Sequence, residues 1–210
     1  MRPAQWVKNL FVFVPLVFAH RLDRLDLTLH SAAAFAAFCA AASAVYLLND
    51  LRDREADRLH PVKCRRPIAA GQLGAGPAIA VALALAAVAL ALAFRLGRGF
   101  SICLAIYLAL NVLYSLGLKR LVILDVMTIA LGFVLRVEAG ALAIAVEVSS
   151  WLLLCTIFVA LFLGFAKRRH ELAHQPPTSS GTSSGTRAVL EVRPHDVPFL
   201  LEDGQVFFKL

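Results

Sequence analysis

The chain has 210 residues, of which 60% are hydrophobic; its mean hydropathy is +0.74 and its formal charge +7. Soluble domains hold about 45–50% apolar residues, so a single water-facing globule is excluded and a bilayer is the expected solvent. Nothing in the sequence interleaves a basic patch with aromatics, so no nucleic-acid partner is expected either.

A membrane span takes about 20 mostly apolar residues. Stretches near 9–20, 29–48, 77–96, 99–116, 121–145 and 149–166 predict about six. The fold class expected is therefore all-α, a multi-pass transmembrane helical bundle. The first stretch is short and interrupted by Pro15. Arg2, Lys8 and the apolar "LFVFVPLVFA" have signal-peptide character, but "VFAHR" offers no small-x-small cleavage site, so the segment is kept as a span. Past Glu171 the composition changes. "AHQPPTSSGTSSGTR" reads as flexible linker, and "AVLEVRPHDVPFLLEDGQVFFKL" is too short and mixed for another span. The chain divides accordingly into a transmembrane domain, 1–172, and a linker with a polar tail, 173–210, expected to be disordered or aberrant.

Orientation is read from the basic residues. With the N-terminus cytoplasmic, segments 1–8, 49–76, 117–120 and 167–210 hold sixteen of the 21 Lys and Arg, and the opposite side holds Arg21, Arg24, Arg95 and Arg98. That asymmetry is a positive-inside signal and makes the net charge chiefly a topology device. The expected location is the plasma membrane. Cys39, Cys103 and Cys155 lie in spans and Cys64 in a loop, with neither metal spacing nor a disulfide framework.

The strongest chemical signal is "YLLNDLRDREADRLHP", where the second span meets a crowd of acids. At 100° per residue, Asn49, Asp50, Asp53 and Asp57 share about one quadrant of a helix, while Glu55 points elsewhere. Carboxylates on one face at a span's edge repel and need a cation, which Arg52, Arg54, Arg58, Arg65 or Arg66 could supply. An oxygen-only set of this kind suits Mg²⁺, which takes a few carboxylates together with waters and substrate phosphates. Directly after it, "HPVKCRRPIAAG" supplies His60, Lys63, Arg65 and Arg66, cations fit for phosphate oxygens. Two further helix ends fall on the same side. "YSLGLKRLVILDV" brings Tyr114, Lys119, Arg120 and Asp125, and "FAKRRHELA" brings Lys167, Arg168, Arg169, His170 and Glu171. Within the fifth span Arg136 and Glu138 are costly in lipid and should face the bundle. Two residues apart, they are not expected to pair, and a structural role and a place in the substrate path are equally compatible with them.

"NDLRDREADRLHPVKCRRPIAAG" resembles the Asn-Asp-x-x-Asp-x-x-x-Asp signature and following loop of the UbiA superfamily of intramembrane prenyltransferases. "MRPAQWVKNLFVFVPLVFA", "YSLGLKR", "LDVMTIALGFVLRVEAGA" and "SWLLLCTIFVALFLGFAKRRHEL" are similar to its decaprenyl-phosphate phosphoribosyltransferase branch, so the likeness covers roughly residues 1–172. The resemblance implies Mg²⁺ held by Asn49, Asp50, Asp53 and Asp57, with Asp50, Asp53 and Asp57 catalytic. Substrate-binding positions expected from it are Lys8, Asn9, Lys63, Arg65, Arg66, Tyr114, Lys119, Lys167, Arg168 and Glu171. The implied reaction moves a phosphoribosyl group from 5-phosphoribosyl 1-diphosphate to a polyprenyl (decaprenyl) phosphate and releases diphosphate, in cell-wall arabinan precursor synthesis. Self-association is left open.

Two departures bear on this. Where prenyl-diphosphate-using members carry a second Asp-rich motif, "KRRHEL" has the single acid Glu171, which favours the phosphoribosyl branch over aromatic prenyl transfer to a 4-hydroxybenzoate-like acceptor. Members also usually continue for about three more spans, so a truncated, non-catalytic membrane protein is the third expectation.

Overall fold

A computed structural model describes residues 3–59, 63–116 and 122–173 of the chain. The described residues form helices joined by short turns, with no strand among them. A 3₁₀ helix, Pro3–Phe13, runs into α1 (Val14–Phe18). It is followed by α2 (Leu25–Arg52), α3 (Arg54–Leu59), a 3₁₀ turn (Lys63–Arg65), α4 (Ala75–Leu96), α5 (Arg98–Leu116), α6 (Val122–Ala143) and α7 (Ser150–Ala173). Five of these, α2 and α4–α7, are long and apolar enough to cross a membrane, and Trp6–Phe18 forms a shorter apolar helix ahead of them. The six stretches expected from hydropathy are thus approximately the six apolar helices found.

The short first segment makes up length by its winding. A 3₁₀ helix rises about 2.0 Å per residue against about 1.5 Å for an α-helix, so Pro3–Phe18 reaches roughly the 30 Å of a bilayer's apolar core. Three residues per turn also sets its faces. Asn9, Val12 and Pro15 are buried at that period, and Lys8 and Phe11, three apart, share another face. Pro15 falls in the first turn of α1, where its missing N–H breaks no helical bond.

α2 and α6 form the centre. About 61% of each span is buried, against 17–22% for α4, α5 and α7. Between apolar helices in lipid there is little hydrophobic drive, so association rests on close backbone approach. α2 accordingly presents Ala34, Ala37, Ala41 and Ala44, and α4 answers with Ala78, Ala82, Ala89 and Ala93, all buried. Phe38 fills the space beyond them, edge-on to Phe100 of α5 and tilted against Tyr107. α4 and α5 join through Gly97 alone, at φ +106°, a backbone region open to glycine. The outward faces carry Leu83 and Phe94 on α4 and Trp151, Phe158, Phe162 and Phe165 on α7, as a lipid-facing surface should.

α6 and the 3₁₀ helix come into backbone contact at Gly140. A Cβ there would collide with the Val12 carbonyl, so only hydrogen fits between the two backbones.

Candidate active site

The acids expected on one helix face lie on two helices. α2 ends at Arg52, Asp53 caps it at φ −89°, ψ 10°, and α3 starts at Arg54. The hydrogen-bond ladder nevertheless continues: the Asp53 N–H donates to the Asn49 carbonyl and the Asp57 N–H to the Asp53 carbonyl, each at 2.9 Å. The register therefore survives the break. Asp50 and Asp57, seven residues apart, meet one nitrogen of Arg66, at 3.3 and 2.6 Å respectively. Glu55 stays outside this group, 80% exposed and paired with Arg58.

Arg66 is aimed by its own loop. Ile68 is buried in a small cluster with Leu47 of α2 and with Ala78 and Ala82 of α4, which pins the segment against both helices. Arg58 donates from Nε to the Ala69 carbonyl at 3.2 Å. Backbone bonds from Arg66 to Lys63, Ala70 to Arg66 and Leu73 to Pro67 fold the loop on itself. Lys63 and Arg65 are exposed on it.

Beside the acids, a cavity of about 400 Å³ opens into the bundle. Asn49 lies on its wall, its side-chain oxygen accepting a 2.9 Å bond from the Ser115 hydroxyl at the end of α5. Tyr114 donates to Asp125 of α6 at 2.8 Å, and Lys167 of α7 lies 3.5 Å from the same carboxylate and 3.4 Å from the Tyr114 hydroxyl. The ends of α2, α5, α6 and α7 thereby meet around one opening, bringing together the polar helix ends picked out in the sequence.

Deeper in, Lys8 and Arg136 face the same cavity. Arg136 is only 7% exposed. It donates to Asn9 Oδ1 (2.8 Å), the Gly132 carbonyl (2.7 Å) and the Tyr107 hydroxyl (2.9 Å), and its guanidinium stands 4.8 Å over the Tyr107 ring. Arg136 and Glu138 make no bond to each other. Asn9 is fully buried and bonds Arg136 and the Cys39 sulfur, so it supports the cavity from behind rather than lining it. Lys119 and His60 fall outside the described residues. Arg168 and Glu171 lie on α7, but their side chains are outside the description.

Two contacts of the candidate site escaped the sequence, since Ser115 and Tyr107 carry no signature. Of the five arginines available to compensate the acids, Arg66 is the one that reaches both Asp50 and Asp57. Arg136 did give a signal, the cost of a cation inside a span, though not its partners.

Among the described residues no three His, Cys, Asp or Glu side chains are drawn together as a metal centre; the acids converge on Arg66. The donor set still fits a hard divalent ion. Two carboxylates already reach a single cationic point, an amide oxygen lies nearby, and Mg²⁺ is usually held by one or two carboxylates with substrate phosphates and water completing the shell.

The helices and cavity define a multi-pass membrane protein with a chamber in its bundle that is apolar over most of its wall and cationic at Lys8, Arg136 and Lys167. Residues 10–174 match the UbiA prenyltransferase family model, and the chain belongs to that family. Residues 176–210 match instead the C-terminal domain model of 2'-deoxycytidine 5'-triphosphate deaminase. The chain is similar to decaprenyl-phosphate phosphoribosyltransferase of Mycolicibacterium smegmatis, 40% identical over 82% of this chain and 55% of the relative. The protein of the same name from Corynebacterium glutamicum is 42% identical over 82% of this chain and 53% of its own length. The chain thus spans about half the length of these relatives. In fold it is similar to a UbiA homologue from Archaeoglobus fulgidus bound to GPP and Mg²⁺, with a TM-score of 0.66, 24% identity, and coverage of 81% of this chain and 62% of that one.

Proposed function

We propose that the chain carries the Mg²⁺ and donor site of a phosphoribosyltransferase that moves a phosphoribosyl group from 5-phosphoribosyl 1-diphosphate to a membrane polyprenyl phosphate, releasing diphosphate. The observation that carries this is the pairing of an aspartate cluster at a helix end with a cationic chamber inside an apolar bundle. The named relatives support the choice of donor and acceptor. The positive-inside bias supports a cytoplasmic opening, where a soluble donor would enter.

Asn49, Asp50, Asp53 and Asp57 would hold Mg²⁺ through oxygen. Bound there, the ion would neutralise charge that develops on the departing diphosphate. Arg66, already at the carboxylates, is placed to donate its fork to diphosphate oxygens, with Lys63 and Arg65 beside it on the loop. Tyr114 and Lys167, tied to Asp125, wall the chamber between these groups and Arg136. The apolar surfaces of the bundle accept the acceptor's tail and keep bulk water from the ribose carbon under attack. A role in cell-wall arabinan precursor synthesis follows from this reaction.

The test is direct. Membranes holding the chain are incubated with labelled phosphoribosyl diphosphate, a polyprenyl phosphate and Mg²⁺, and labelled lipid is expected. A parallel incubation with prenyl diphosphate and 4-hydroxybenzoate separates aromatic prenyl transfer. No product in the first, alongside an active full-length relative, removes the activity from this chain.

The metal assignment has its own readout. Arg66→Gln leaves Asp57, only 4% exposed, without its cation, which costs about 1–3 kcal/mol. The melting temperature is expected to fall, and added Mg²⁺ to recover more of it in the variant than in the parent. Equal Mg²⁺ responses in the two proteins would argue that ion and guanidinium do not share these carboxylates.

A further inference from the structure

The wall of the cavity holds more positive charge than the described residues balance. Lys8 of the 3₁₀ helix, Arg136 of α6 and Lys167 of α7 all line it, and both Arg136 and Lys167 lie near enough to repel a charge on the Lys8 ammonium. Asp125 is committed to Lys167 and Tyr114, and among the described residues no carboxylate pairs with Lys8 or Arg136. Lys8 and Arg136 therefore leave two positive charges in a low-dielectric chamber, an arrangement that is costly unless an anion completes it.

The guanidinium is built to receive one. Its three bonds, to Asn9, Gly132 and Tyr107, are all to neutral oxygens, and no carboxylate lies within ion-pair distance of it among the described residues. These bonds take one proton from each nitrogen, whereas a guanidinium has five to give. Asn9 and the Tyr107 ring fix its plane, so the remaining donors are oriented before any ligand arrives. Lys8 stands exposed in the same space, and no hydrogen bond or ion pair engages it among the described residues.

We infer that Lys8 and Arg136, with Lys167 at the mouth of the same cavity, form a binding subsite for a phosphate monoester distinct from the aspartates. A monoester carries about −1.5 to −2 near neutral pH, which matches the two uncompensated charges. The charge balance stands without the proposed reaction, but naming the ligand's source rests on that reading. The source is either the 5-phosphate of the donor or the headgroup of the lipid acceptor, because both present the same group.

The experiment uses the whole chain in nanodiscs and three probes by calorimetry: ribose 5-phosphate, farnesyl phosphate, and inorganic diphosphate with Mg²⁺. The variants are Lys8→Gln, which disturbs no bond among the described residues, Arg136→Lys, which keeps the charge but not the fork, and Asp53→Asn. Lys8→Gln is expected to weaken a monoester by about tenfold or more, the scale of one lost charge-assisted bond, and to leave Mg²⁺-dependent diphosphate binding within about twofold. Asp53→Asn is expected to do the reverse. Selective loss of ribose 5-phosphate assigns the subsite to the donor; selective loss of farnesyl phosphate assigns it to the acceptor. Monoester affinities unchanged in both Lys8→Gln and Arg136→Lys overturn the subsite, as does equal loss of monoester and diphosphate in Lys8→Gln. If the parent binds Mg²⁺ and diphosphate but neither monoester, the subsite falls and the aspartate reading stands. Monoester binding without any Mg²⁺-dependent diphosphate binding sinks that reading and spares the subsite.

Discussion

Asp53→Asn is expected to abolish Mg²⁺-dependent stabilisation by diphosphate while leaving the unliganded melting temperature in place. Asp53 joins the fold through its backbone, whose N–H and carbonyl link Asn49 and Asp57. Asparagine keeps those bonds and the side-chain volume and removes only the charge. At a ligand concentration of about 100 times Kd, the parent gains about 2.7 kcal/mol, a rise of roughly 5–10 °C for a chain of this size. A hundredfold loss of affinity would leave about 0.4 kcal/mol of that gain. Turnover, measured as labelled lipid, is expected to fall by about 10²–10³, as when one preorganised contact to developing charge is deleted. A full thermal response to Mg²⁺ and diphosphate in the variant would take Asp53 out of the ligand set. Because the readout is binding, it holds whether or not the chain turns over.

The second large effect is structural. Gly140→Ala places a methyl group where the Val12 carbonyl lies, with the Val12 carbonyl carbon 2.9 Å away. Backbone cannot swing aside as a side chain does, so the whole 3₁₀ helix must lift from α6. Arg136 lies one helical turn before Gly140 and Asn9 one 3₁₀ turn before Val12, so the displacement falls on their 2.8 Å bond. Overpacking costs about 1–3 kcal/mol, and loss of a hydrogen bond to a charged group about 1.5–3 kcal/mol. A melting temperature lower by roughly 10 °C is expected, together with weaker monoester binding, since Lys8 travels with the helix. Unchanged melting would show that the two backbones do not meet here.

Much of this was legible in the sequence because it is local. Hydropathy marks the spans, and the spacing of Asp50 and Asp57 puts both on one helix face, where both reach Arg66. The break at Asp53 was not legible, since spacing assumes a continuous helix; the ladder through Asn49, Asp53 and Asp57 kept its consequence small. The winding of the first segment was equally hidden. Its buried period of three is visible only once burial is known, and a short stretch containing Pro15 reads simply as a weak span. Contacts such as Ser115 with Asn49, 66 residues apart, depend on how helix ends assemble. Arg136 shows the boundary most clearly. Its burial in a span was an alarm in the sequence, but its cradle of Asn9, Tyr107 and Gly132 draws on three separate elements.

The bond between Asn9 and Arg136 also sets an order of assembly. The two residues are 127 positions apart, and synthesis at about 5–20 residues per second separates their appearance by roughly 6–25 s. During that interval the first segment has its α2 partners, Cys39 and Ser43, but neither the Arg136 guanidinium nor the groove at Gly140. Until α6 arrives, the first segment can rest on α2 alone of these two partners, and the chamber has three of its five walls.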